Sequence, residues 1–205
     1  MMSLRVFHRG TAVVIAGFVI MHLANHLLSL HSLVAHIAFM KVARTVYRHP
    51  AIEFVLLVSV IFQCGSGLWM VVRGWSARQR AVAWLQATSG GYLAVFLLIH
   101  VSAIMLGRIA LHLDTDFYFA AAGFHVPPFR LVFIPYYLLA AVALFTHVGC
   151  ACYWSSGGRS PGLRRVARCV MVVTDCIAGV AINLSLAGKS QPVTVPDRYL
   201  AAFRR

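Results

Sequence analysis

Negative charge is scarce in this chain: 5 Asp and Glu stand against 18 Lys and Arg in 205 residues, and charged residues of both signs make up only 11%. With hydrophobic residues at 60% and a mean hydropathy of +0.81, that poverty of charge excludes a soluble globular domain and points to a polytopic membrane protein. The net charge of +13 does not make a nucleic-acid binder, because the basic residues fall in short segments between apolar runs. Arg73, Arg78 and Arg80 form one group and Arg159, Arg164, Arg165 and Arg168 another, the placement that anionic lipid head groups attract. Five cysteines supply neither a disulfide framework nor a CxxC pair. Cys150 and Cys152 are one residue apart, a poor zinc geometry, and Cys64, Cys169 and Cys176 sit in apolar stretches as small packing residues. No repeat, no low-complexity tract and no polar stretch long enough for a separate domain is present, and the first apolar run is too long for a cleavable signal.

What the chain does have is long apolar runs. At about 20 residues per crossing, five segments qualify: 11–30, 52–73, 91–113, 129–153 and 166–187. The expectation is an all-α fold, one membrane domain built as a five-transmembrane-helix bundle, with the first, third and fifth helices running the same way. In 31–50, Leu33, Val34, Ile37, Met40 and Val46 alternate with His36, Lys41, Arg44 and Arg48, the pattern of a helix lying in the interface. Residues 111–128 carry Asp114, Asp116, Phe117, Tyr118 and Phe119, which read either as a lid over that membrane face or as an interfacial aromatic belt. Pro192 and Pro196 interrupt 189–205, expected to be a polar surface tail. The 18 Lys and Arg divide evenly between the two faces, so charge does not set the orientation.

Three histidines, His22, His100 and His147, fall inside apolar runs. A coordinating side chain is costly in hydrocarbon and marks a functional site there. Counted along the expected helices at about 1.5 Å per residue, His22 lies about 17 Å and His100 about 14 Å from the N-terminal face, with His147 about 10 Å from it. Matched depth on two helices is what two axial nitrogens of a low-spin haem need. Small residues on the same stripes, Ala103 and Gly107 beside His100 and Ala140, Ala143 and Cys150 beside His147, would let a ring approach. They equally suit ordinary helix contacts. A lone histidine is more often only a hydrogen-bonding group across helices; the pair is the stronger signal. His26, one turn from His22, competes as ligand. His8, His31, His36, His49, His112 and His125 lie at or beyond the surface and need no special role. Zinc or copper would want tighter clustering or acid and thiolate partners. Asp175, the only acid well inside a run, pairs with a quinone, relays protons, or makes a structural hydrogen bond.

FHRGTAVVIAGFVIMHLANH, WLQATSGGYLAVFLLIHVSAIMLGR and LLAAVALFTHVGCACYW together resemble the first, third and fourth helices of the five-helix cytochrome b membrane anchors of succinate:quinone oxidoreductases and fumarate reductases. The resemblance runs from His8 to about Trp154, with Gln86, Gly90, His100 and Arg108 falling where that family has Gln, Gly, haem ligand and Arg. It implies haem b, a quinone as substrate, and flavoprotein and iron–sulfur subunits docked in a bacterial cytoplasmic or mitochondrial inner membrane. In two-haem members the first and third helices hold one haem and the second and fourth the other. IFQCGSGLW resembles the second-helix motif, but with Gln63 in place of its histidine, so one haem is expected, on His22 and His100. A second would require another partner for His147. Arg108 is the candidate to neutralise a haem propionate, or else an interfacial anchor. The chain carries no flavin or cluster motif, so dehydrogenase chemistry cannot reside in it. The alternative function is a haem-poor membrane scaffold or assembly protein that keeps the fold without redox activity. A transporter fits less well, since no span is broken at mid-membrane.

Overall fold

A computed structural model describes residues 2–155 and 177–204. All the regular secondary structure among the described residues is helical, with no strand. Four helices are long and apolar enough to cross a membrane: α1 (Met2–His31), α3 (Pro50–Arg73), α4 (Ala81–Ile109) and α6 (Arg130–Ser155). Shorter helices lie between and after them: α2 (Leu33–Tyr47), α5 (Phe117–His125), α7 (Ile177–Leu186) and α8 (Asp197–Leu200). Of the fifth expected span only α7 is described, so four spans stand among the described residues. Arg159, Arg164, Arg165, Arg168, Cys169, Asp175 and Cys176 lie outside them.

The bundle is arranged for lipid rather than water. Large apolar side chains point outward, among them Val13, Ile20, Ile61, Ile109 and Leu131. The buried positions of the spans are small or weakly polar: Ser59, Cys64, Ser66, Ala87, Ser89, Ala94, Ala140, Ala141, Ala143 and Cys150. In hydrocarbon there is no hydrophobic reward for turning leucine inward, so small residues that let backbones approach make the contacts. Cys64 follows this rule, sitting buried with its thiol on the Ala94 carbonyl at 3.6 Å. The spans pack in the order α1–α3–α4–α6.

Two spans begin earlier than the apolar runs. α4 starts at Ala81, ten residues before the expected position, because Thr88 and Ser89 satisfy their hydroxyls on the carbonyls of Trp84 and Leu85 within the helix. Their polarity therefore does not interrupt it. Gly90 keeps helical geometry, and a side chain there is excluded: a Cβ would sit 2.8 Å from Cε1 of His147. α1 likewise extends back to Met2 through Arg5, His8 and Arg9. His8 is held by Ser66 at 2.7 Å and by the Gln63 amide at 3.0 Å.

The densest packing lies at the end of the bundle where α1 and α4 finish. α2 is capped by the Ser32 hydroxyl on the Ala35 amide and folds back along the last turns of α1, bringing His36 to His26 and Tyr47 to Phe18. α5 is capped by Asp116, which accepts from Tyr118 and Phe119. Phe117, Ala121, Ala122 and Phe124 form a core with Ile182, Leu186, Val195 and Tyr199. Residues 111–128 thus pack into the protein through α5, with Phe117 1% exposed. The carboxy-terminal segment also departs from expectation. Gly188 ends α7 with φ 68°, the left-handed turn that releases the chain back across the bundle. Gln191 then donates to the Ser29 carbonyl and Tyr199 to Asp116 at 3.0 Å. Pro192 and Pro196 break helix as expected, but what they shape is a strap that supplies Val195 and Tyr199 to the core.

Candidate functional site

The starts of α1 and α4 move the depths of the histidines without unmatching them. His22 and His100 each lie nine residues before the end of their helix, about 13 Å from it. Both therefore belong to the half of the bundle far from the N-terminus, the half that α2 and α5 flank, rather than to the near half or the middle that the shorter runs implied. His147 does not share that depth. It lies eight residues before the end of the oppositely directed α6, against Gln86, Ser89 and Gly90 in the early turns of α4. The ten residues between Gly90 and His100 correspond to about 15 Å. The three histidines thus form a pair and a singleton.

The pair meets across the gap between α1 and α4, which pack through α3 rather than closely against each other. The ring centroids of His22 and His100 are 6.3 Å apart with planes at 67°. A metal ion held by both imidazoles, at about 2 Å per metal–nitrogen bond, would be accommodated at this spacing. Phe18 stacks on His22 at 5.5 Å and Phe96 on His100 at 5.2 Å, while Tyr137 meets His100 edge-on at 6.1 Å. No hydrogen bond among the described residues engages the imidazoles of His22, His26 or His100. His26 contacts the rings of His22 at 4.7 Å and His36 at 5.7 Å, so it stands behind the pair rather than opposite His100. Among the described residues no group of three His, Cys, Asp or Glu comes together to hold a bare metal ion; haem needs only two.

His147 is differently placed. Its Nδ1–H donates to the Gln86 carbonyl at 3.1 Å, which leaves Nε2 with the lone pair. Gln63 does not face it as a ligand: its amide nitrogen is on His8 and its oxygen accepts from Thr11 at 2.8 Å. The stripe beside His147 is small and buried, as expected, at Ala140, Ala143 and Cys150. The stripe beside His100 is not available to a ring. Ala103 faces outward, and Gly107 is taken up by Phe119, whose ring would lie 2.6 Å from a Cβ there.

Arg108 is engaged. Its guanidinium pairs with Glu53 of α3 through Nη1, with a second contact at 3.4 Å. The less expected polar residues lie on α2. Arg44 pairs with Asp114 at 2.8 Å, its side chain only 12% exposed, and Arg48 donates to Thr115 at 2.9 Å. His36, read from its spacing as a surface residue, is 2% exposed and donates Nδ1–H to the Asn25 carbonyl at 2.7 Å. Burial holds its pKa below the ordinary 6.5, opposed by that hydrogen bond and by Asp116. The alternation in 33–46 marked an amphipathic helix. It did not reveal that part of the polar face turns inward, because no second layer was expected above α2. Toward the N-terminal face, Arg78 also turns inward, capping α3 on the Met70 and Val71 carbonyls between Trp75 and Trp84. Arg73 and Arg80 remain exposed.

Comparison with family models, curated proteins and solved structures finds no match to this chain.

Proposed function

We propose that this protein is a haem b-binding membrane anchor that carries electrons between a docked partner and membrane quinone, with His22 and His100 as axial ligands. The observation that carries the reading is the facing pair itself. Two imidazoles from different spans, without a hydrogen bond among the described residues, stand 6.3 Å apart at matched register, where an unfilled polar group is costly. Bound haem supplies a one-electron iron centre. The chain's own part is to fix the two imidazoles from rigid helices, pack Phe18 and Phe96 against them, and exclude water under α2 and α5.

The resemblance to succinate:quinone oxidoreductase and fumarate reductase anchors supplies the rest of the proposal. The partners are a flavoprotein and an iron–sulfur subunit, and the site is a bacterial cytoplasmic or a mitochondrial inner membrane. One haem per chain is the stoichiometry favoured by Gln63, which is tied to His8 and Thr11, and by His147, which is turned to Gln86. The same two residues favour the second reading, a scaffold that has given up haem while keeping the bundle.

Substitution separates the two. Purified from haem-replete cells, His22→Ala and His100→Ala should each lose the low-spin b-type spectrum, since either leaves iron without one axial nitrogen. His147→Ala should keep it. A low-spin spectrum that survives both single substitutions overturns the ligand assignment, and survival in His22→Ala with loss in His26→Ala moves the ligand one turn.

A further inference from the structure

Arg44 presents an unfilled carboxylate-binding fork inside the protein. Its Nη1 is taken by Asp114 at 2.8 Å. Its Nε and Nη2, the two coplanar donors along the other edge of the guanidinium, are both buried without a hydrogen-bond partner among the described residues. One turn on, Nε of Arg48 is also buried and unpartnered, while its Nη2 is on Thr115, with Asp114 at 3.8 Å. Three buried cationic N–H groups left empty in one place are costly, and two adjacent donors on a planar guanidinium match the two oxygens of a carboxylate. The protein's own acids nearby are committed. Glu53 is held by Arg108, Asp114 serves both arginines, and Asp116 accepts from Tyr118, Phe119 and Tyr199.

The fork lies on the side of α2 that packs on α1. Met40 and Ala43 on that side are buried, and Tyr47 meets Phe18 edge-on at 5.3 Å. Phe18 is the ring stacked on His22. Arg44 is also close enough to His36 for their charges to interact, and His36 adjoins His26. The Arg44 segment of α2 is thus joined to His22 by two contact chains, Tyr47–Phe18–His22 and His36–His26–His22. A haem carries two carboxylates on a single edge.

Building on the haem reading above, we propose that Arg44, assisted by Arg48, binds a propionate carboxylate of the haem held by His22 and His100, fixing which edge of the ring faces α2. Arg44 is preferred to Arg108 for this role because Arg44 keeps two buried donors unpartnered among the described residues, whereas both Nη atoms of Arg108 contact Glu53.

The test compares haem b with its dimethyl ester, in which the propionates are uncharged. The probes are titrated into the haem-free full-length protein in detergent and followed by the Soret band. Wild type should bind haem b about 10 to 100 times tighter than the ester. Arg44→Leu should reduce that preference to near unity, and Arg44→Lys, which keeps charge but loses the fork, should fall between. Equal binding of both probes by wild type, or an undiminished preference in Arg44→Leu, overturns the assignment of Arg44 while leaving the haem reading intact. The wild-type comparison stands even if a variant fails to fold. Failure of wild type to bind either probe overturns the haem reading, and this inference with it.

Discussion

The imidazole of His36 joins burial to titration at one residue. It is closed off by α5, with Phe117 5.4 Å away, and its Nδ1 proton is committed to the Asn25 carbonyl, so protonation adds a charge at Nε2 that burial resists. Asp116 favours that charge and Arg44 opposes it. Because the folded value is lowered, the unfolded chain binds a proton that the folded protein does not as pH drops below about 6.5. Stability from this residue is present above that pH and lost progressively below it. Thermal unfolding in detergent should therefore fall more steeply between pH 6.5 and 5 in wild type than in His36→Gln. Parallel curves would remove His36 as a contributor. At Gly123 the account is steric: a Cβ would meet the Phe133 ring at 2.4 Å. Gly123→Ala should cost about 1 to 3 kcal/mol by overpacking, visible as a lowered unfolding temperature. An unchanged temperature would mean that the ring moves freely.

At the scale of elements, the strap 189–204 and α5 depend on each other. Tyr199 is 1% exposed and its hydroxyl is pushed up to about 12 by burial and by the neighbouring Asp116 carboxylate, so it stays a hydrogen-bond donor at any working pH. Tyr199→Phe should cost about 1 kcal/mol. Truncation after Gly188 should do far more, uncovering Phe117 and making the α5 region sensitive to protease while the spans survive. Protection unchanged on truncation would contradict the packing. Much of this framework was legible in the sequence: four of the expected runs are helices long and apolar enough to cross a membrane, and a helix follows the first where the alternation put one. What escaped were the features that depend on contacts distant in sequence. Hydropathy shortened α1 and α4 because a helix may carry polar residues that bond within it or to a neighbour, as Ser89 and His8 do. The strap looked like a tail because its apolar residues, Val193, Val195 and Tyr199, are few and only α5 and α7 give them a surface. The His22–His100 pair was visible because each is an isolated coordinating residue in an apolar run. The Arg44 fork was not, since arginine in an amphipathic stretch ordinarily faces water.

For the whole molecule, the account is of a bundle with one dense end and one open one. The dense end, under α2, α5 and the strap, encloses His22 and His100. At the other end Arg73 and Arg80 are exposed and the small-residue seam around His147 is closed by Gly90. On the proposed haem reading, a membrane anchor with a single haem needs a partner to deliver or accept electrons. Extraction in mild detergent should recover it in a larger assembly with a flavoprotein and an iron–sulfur protein, and charge reversal at Arg164 and Arg165, which lie outside the described residues, should weaken that assembly. Recovery of this chain alone, under conditions that preserve respiratory complexes, would favour the scaffold reading. The most direct test of the central claim is the dithionite-reduced-minus-oxidised visible spectrum of the wild-type protein purified from haem-replete cells, read with a haem-to-protein ratio. The account predicts low-spin b-type bands and a ratio near one. A colourless protein would contradict the claim outright, and a ratio near two would contradict the assignment of His147 as a histidine without an iron.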